Sequence, residues 1–204
     1  INAQVEDSLA GMRVVKSFSL EDSELALAGE SAEEVLLSTH CCHPSLANDN
    51  LSGMVVATAL AAHLAARQRR RLSYRFLFLP GTIGAITWLA TNRERPANIG
   101  HTLVLAGLGA PGPFHYKKSR NGDAPIDREV RRALARRGES LEVEAFVPFG
   151  YDERQFNSPG IGLEAGCFSR TPYGRYPEYH TSADNLDLIR PETLWQDGHA
   201  GRAF

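Results

Sequence analysis

Two histidines stand in short polar runs far apart in the chain. His40 lies in Ser38–Gly53 (STHCCHPSLANDNLSG) and His180 in Glu178–Asp187 (EYHTSADNLD). The first run also carries Asp49, between Asn48 and Asn50, just before a stretch with Ala and Leu at helical spacing. Imidazole nitrogens and a carboxylate oxygen converging from distant loops are the donors from which zinc sites are built. Each residue has a plainer reading as well. Asp49 could be an ordinary helix N-cap, although three consecutive capping residues are more than one cap needs. His180 could be a surface-loop histidine, but Tyr173, Tyr176, Pro177 and Tyr179 frame it as a loop held in a defined shape. His40 belongs to a cluster with Cys41, Cys42 and His43, where a compact Cys/His zinc knot is an alternative to a site built on His40 alone. Neighbouring strand residues point to opposite faces, and no CxxC or HxxxH spacing is present. His40 is therefore the preferred donor over His43.

These side chains need elements to carry them. Glu34–Thr39 (EVLLST) is a short apolar run ending at the polar cluster, the pattern of a buried strand that stops at a functional loop. Asn50–Arg67 reads as a helix whose RQRRR end is a solvated, dipole-complementing terminus. Leu72–Leu79 is the next strand, closed by Pro80-Gly81. Thr82–Asn92 follows as a helix with Ile83, Ile86, Trp88 and Leu89 as packing residues. Thr102–Leu108, Pro113–Lys118, Leu141–Val147 and Pro159–Gly166 are read as further strands, and Val14–Leu27 as an opening extended arm. Pro125–Gly138 is a helix with acids early and arginines late. Pro191 starts a last one. Strands alternating with helices predict an α/β three-layer sandwich with a mostly parallel or mixed central sheet. Sites in such sheets form at the carboxyl ends of strands, where His40, Pro80–Thr82 and Leu108–Ala110 all fall.

Bulk properties narrow the function. The 204 residues, 43% of them hydrophobic, can bury one sizeable core, so residues 1–204 are expected to form a single domain. The opening INAQVEDSLA lacks Met and any signal-peptide character, so a fragment of a longer chain is expected. A net charge of −2 gives no reason to expect nucleic acid or an anionic membrane as a partner. No apolar run approaches the roughly 20 residues of a membrane span. The three cysteines outline no disulfide framework, so a reducing, cytoplasmic setting is expected. Oligomeric state is not legible.

Taken together, HCCHPSLANDNLSG, the Pro-Gly-Thr-Ile-Gly turn, DERQFNSPGIG and YHTSADNLD resemble the co-catalytic zinc aminopeptidase superfamily. More narrowly, they resemble the bacterial aminopeptidase-like domain proteins associated with polysaccharide biosynthesis. The likeness covers roughly Val35 to Pro191. It implies a zinc exopeptidase architecture and a peptide or small-molecule substrate. His40 matches the first metal ligand, Asp49 the carboxylate that bridges two metals, and His180 the last histidine. Tyr179 matches the tyrosine that hydrogen-bonds the developing oxyanion, and Asp152 an aspartate in a supporting loop. The resemblance also implies a cis peptide between Asp49 and Asn50. Two consecutive glutamates, one base and one ligand, are expected where this chain has Gly81 and Thr82, and a further aspartate ligand where it has Ala110. His40, Asp49 and His180 then suffice for one zinc ion with an open position.

Several functions fit these residues. One is a zinc-dependent hydrolase that cleaves an N-terminal peptide or related amide bond, its base drawn from Asp152, Glu153, Glu164 or Glu178. An N-acyl-sugar amide is an equally reasonable substrate. The alternative is a catalytically impaired domain that serves as a metal- or ligand-binding module. A cysteine nucleophile at Cys41 or Cys42 is a third option, with no orienting acid in evidence.

Overall fold

Side chains that alternate along the apolar runs decide how the sheet is buried. On Glu34–His40 (β2), Leu36 enters one apolar cluster and Leu37 the other. On Ser73–Leu79 (β3), Phe76 and Leu77 divide in the same way, as do Leu103 and Val104 on Ile99–Leu105 (β4). A strand buried on both faces needs helices above and below it. The computed structural model, which describes residues 24–43 and 45–194, supplies them. Helices Gly53–Ala65 (α1) and Pro125–Arg137 (α3) cover one face through residues such as Leu60 and Val130. Helix Ile83–Thr91 (α2) and the short turn Glu153–Phe156 (α4) cover the other through Trp88, Leu89 and Phe156.

The mixed sheet also contains Glu24–Leu27 (β1), Phe114–Lys117 (β5), Leu141–Glu144 (β6) and Ala165–Ser169 (β7), in the order β1-β3-β2-β4-β7-β5-β6. Strands β3, β2, β4 and β7 run parallel; β1 and β5 join them antiparallel, and β6 lies parallel to β5. The chain leaves β2 through α1 to reach β3 on one side, then returns through α2 to β4 on the other. That reversal makes the carboxyl end of β2 the switch point at which sites form in such sheets, and His40 is the last residue of β2. The α/β sandwich with a mixed central sheet is therefore the fold.

Several boundaries differ from the sequence reading. The Asn50–Arg67 helix begins only at Gly53, because Ala47–Ser52 forms an irregular turn with non-helical backbone at Asp49 and Asn50. Ile83 and Ile86 do not pack: they are 72% and 52% exposed, and α2 is seated instead through Gly84, Ala85, Trp88 and Leu89. Small residues win there because a Cβ on Gly84 would fall 2.7 Å from Leu79 Cβ and 2.9 Å from Pro80 Cδ. The strand expected at Pro159–Gly166 lies at Ala165–Ser169, after turns through Gly160 and Gly162, both with positive φ. The arm expected from Val14 falls within the described residues only at Glu24–Leu27, a strand, and the final helix only at Pro191–Leu194.

Gly166 lies against the Tyr116 ring, whose hydroxyl donates to Asp127 (2.8 Å). Asp127 also accepts from Ser119 and from the Ala124 amide, so the ring cannot swing away freely. Gly166→Ala is therefore expected to destabilise the fold by about 1–3 kcal/mol, the usual cost of overpacking. Thermal denaturation checks it, and a wild-type midpoint would show that the ring can yield.

Candidate metal centre

The turn after β2 works as a fastener. Asn48 Oδ1 accepts the amides of Gly109 (2.9 Å) and Ala110 (3.0 Å), while its amide nitrogen donates to Thr171 Oγ1. Asn50 Oδ1 accepts the Gly107 amide at 3.0 Å, and Ser52 Oγ the Leu108 amide at 2.9 Å. Four successive amides of the loop after β4 thus end on side chains of one NDNxS segment. None of the three polar residues Asn48, Asp49 and Asn50 is a helix cap; α1 is capped by Ser52, without a side-chain bond. The Asp49–Asn50 peptide is cis, as the resemblance implied.

A second clamp comes from the far end of the chain. The Asp184 carboxylate accepts the Asn48 amide (2.6 Å), the Asp49 amide (3.1 Å) and the Tyr176 hydroxyl (3.1 Å). Together these bonds carry His180, which sits at φ +56°, over Asp49.

Asp49 itself is 1% exposed and spends its carboxylate on histidines alone. Its Oδ1 lies 2.6 Å from His40 Nε2 and its Oδ2 3.0 Å from His180 Nε2. The three residues singled out as metal donors in the sequence are therefore brought together, with the histidines on different oxygens. Burial alone would lift the Asp49 carboxyl, but the His40 hydrogen bond and the surrounding imidazoles outweigh it and hold it below its ordinary value.

The geometry adds two residues that the sequence reading ranked lower. His43 Nδ1 lies 3.7 Å from Asp49 Oδ2, and the His43 ring is 4.6 Å from that of His180. Donor atoms of His43, Asp49 and His180 fall within 4.8 Å of one another, as do those of His40, Cys42 and His43. The strand argument against a Cys/His cluster does not apply, because β2 ends at His40 and residues 41–43 lie in the loop beyond it. Burial pushes the His43 imidazole below its ordinary value, which favours the neutral, ligating form.

Around this core, Tyr179 stacks on His180 with ring centroids 4.0 Å apart, and burial pushes its phenol up to about 12. Tyr151 stacks on His40 at 4.8 Å; its buried hydroxyl finds no hydrogen-bond partner among the described residues. At two of the positions where carboxylates were expected, the Thr82 amide donates to Asp152 Oδ1 (2.6 Å) and the Ala110 amide to Asn48 Oδ1. Of the four acids considered as a base, Glu153 is paired with Lys117 and Glu164 accepts the Asn121 amide. Asp152 is 2% exposed, coupled electrostatically to His40, and its carboxyl is raised by burial.

Comparison with known proteins gives the family and the fold. A family model described as a domain of unknown function, DUF4910, matches residues 13–200. A Clostridium acetobutylicum protein, provisionally named a polysaccharide biosynthesis protein with an aminopeptidase-like domain, is 47% identical over 186 residues. That match takes in 89% of this chain and 42% of the relative, so the chain spans under half of the relative's length. A crystal structure of a provisionally assigned peptidase from C. acetobutylicum superposes with a TM-score of 0.84 at 45% identity, over 87% of this chain and 42% of that one. A zinc aminopeptidase from Bacillus subtilis superposes at 0.73, with 20% identity over 88% and 48% of the two chains; it shares the fold. No helix among the described residues is long and apolar enough to cross a membrane.

Proposed function

The chain belongs to the DUF4910 family, and from that premise we propose that it is a zinc-dependent hydrolase of the aminopeptidase-like type. Its reaction is cleavage of an N-terminal peptide bond or a related amide. The observation that carries this reading is Asp49, a buried carboxylate whose two oxygens are shared between His40 and His180 at the carboxyl edge of the sheet. His43, Asp49 and His180 offer donor atoms within 4.8 Å of one another, and two imidazoles and a carboxylate suit zinc and leave a position open for chemistry. A zinc ion held there would supply Lewis acidity, acidifying water and polarising a carbonyl.

The remaining steps belong to the chain. Asp49 would hold the ion together with the imidazoles, since its Oδ1 faces His40 Nε2 and its Oδ2 faces His180 Nε2, so donor atoms and not N–H groups meet there. Tyr179 stays protonated across the neutral range and donates to the oxygen on which charge develops. Asp152 is the proton acceptor, a buried carboxylate raised toward the working pH. Metal content by plasma mass spectrometry and turnover of aminoacyl amides, with and without chelator, test the proposal. A protein that takes up no zinc when it is added back overturns it.

Asp152→Asn separates the base from the scaffold. Asparagine keeps an oxygen for the Thr82 amide and removes a buried charge. A carboxylate whose folded pKa is raised costs stability once pH exceeds its unfolded value, and the cost vanishes below that value, where both states are protonated. The metal-free variant is therefore expected to melt above wild type at pH 7 and level with it near pH 3. Turnover falls by roughly 10²–10⁴-fold. A variant as active as wild type removes Asp152 from this role.

A second reading, a metal- or ligand-binding module without turnover, rests on the lack of carboxylates at Gly81, Thr82 and Ala110. It expects zinc uptake with no hydrolysis of aminoacyl or N-acyl-sugar amides. The sugar amides belong in the screen because the Clostridium relative is named for polysaccharide biosynthesis.

A further inference from the structure

Gly81 stands where one of the superfamily's carboxylates was expected, yet the space in front of it is filled. A Cβ on Gly81 would lie 2.9 Å from Cys42 Sγ and 3.6 Å from His40 Cβ. The Gly81 amide already donates to that sulfur at 3.4 Å. A thiol therefore occupies the volume into which a longer side chain at 81 would grow. His40, Cys42 and His43 offer donor atoms within 4.8 Å of one another. Among the described residues His43 Nδ1 is closed from water and has no hydrogen-bond partner, the Asp49 Oδ2 at 3.7 Å being too far for one. A buried polar atom left without a partner asks for an explanation, and an absent ion is one.

We propose that Cys42 and His43 are metal ligands, making with His40 a thiolate-containing site in place of the lost carboxylate. His43 links it to the Asp49–His180 donors, since it belongs to both groups. The inference rests on the metal-binding reading above and deepens it. Coordination by sulfur requires the thiolate, so the Cys42 proton passes to solvent as the ion binds. A thiolate and imidazoles select zinc, cobalt or another borderline-soft ion over magnesium or calcium.

Cobalt(II) titration of the metal-free protein tests this by absorption. The expected result is a near-ultraviolet sulfur-to-cobalt charge-transfer band together with visible d–d absorption. Cys42→Ser loses the first band and keeps cobalt on the nitrogen and oxygen donors, Cys41→Ser keeps both, and His43→Ala weakens cobalt binding at least tenfold. Circular dichroism confirms that each variant is folded, and Cys42→Ala serves if the serine variant is not. Cobalt bound with d–d absorption but no sulfur band overturns the inference and leaves the metal reading standing. Loss of the band in Cys41→Ser with its survival in Cys42→Ser also overturns it. No cobalt bound at all removes the metal reading itself.

Discussion

Asp49→Ala is expected to lower zinc affinity by well over the roughly 10–100-fold that loss of a partner hydrogen-bonded to a metal ligand costs. Far-UV circular dichroism should stay at wild type. Both expectations come from where the carboxylate spends its bonds. Its oxygens contact His40, His180 and His43 and no backbone group, so its removal breaks no turn. What remains is the buried His40 nitrogen without its acceptor, a cost of about 1–3 kcal/mol, and a cluster without its central carboxylate. Zinc measured in the purified variant and by titration calorimetry decides the matter. Wild-type stoichiometry and affinity would take Asp49 out of the site and the proposed function with it.

Asp184→Ala should fail differently, losing stability first and metal as a consequence. Its carboxylate holds the amides of Asn48 and Asp49 and the Tyr176 hydroxyl, all in a buried setting where Asp184 is 1% exposed. Alanine strands two buried N–H donors, and the expected loss is about 3–5 kcal/mol in urea denaturation of the metal-free protein. Zinc affinity falls by roughly 10–100-fold, the cost of removing a group that orients ligands without touching the ion. Tyr176→Phe removes one of the three bonds and leaves both amides satisfied, so about 0.5–1.5 kcal/mol is expected. Equal losses in the two variants would contradict the clamp.

How much of this could be read from the chain depended on whether a residue's role was set locally. The runs EVLLST and SYRFLFL announce strands because alternation and β-branched or aromatic content are local signals. The buried stripe of α2 was misread. Ile83 and Ile86 fit a helical period, but close approach to Leu79 and Pro80 selects Gly84 and Ala85 for the inner face. β7 was misplaced for a related reason: Gly166 weakens the strand pattern, and it is required by Tyr116, a residue on the neighbouring strand. The convergence of His40, Asp49 and His180 was legible because their types and polar settings suggest donors to one site. A Cys/His cluster was set aside through a strand rule for Cys41 and Cys42 that was applied past the strand's end. The fastening roles of Asn48, Asn50, Ser52 and Asp184 are long-range bonds, for which no spacing along the chain gives a signal.

The four amides of Gly107–Ala110 that end on Asn48, Asn50 and Ser52 bear on timing as well as shape. Loops held in this way by side chains of another segment belong to one cooperative unit with it, opening together or not at all. On the metal-binding proposal, an arriving ion would meet donors held by the same fastening and would have little chain entropy to remove. The pace of loading would then be set by how fast the ion sheds its own water, and loss of the ion need not loosen the loops.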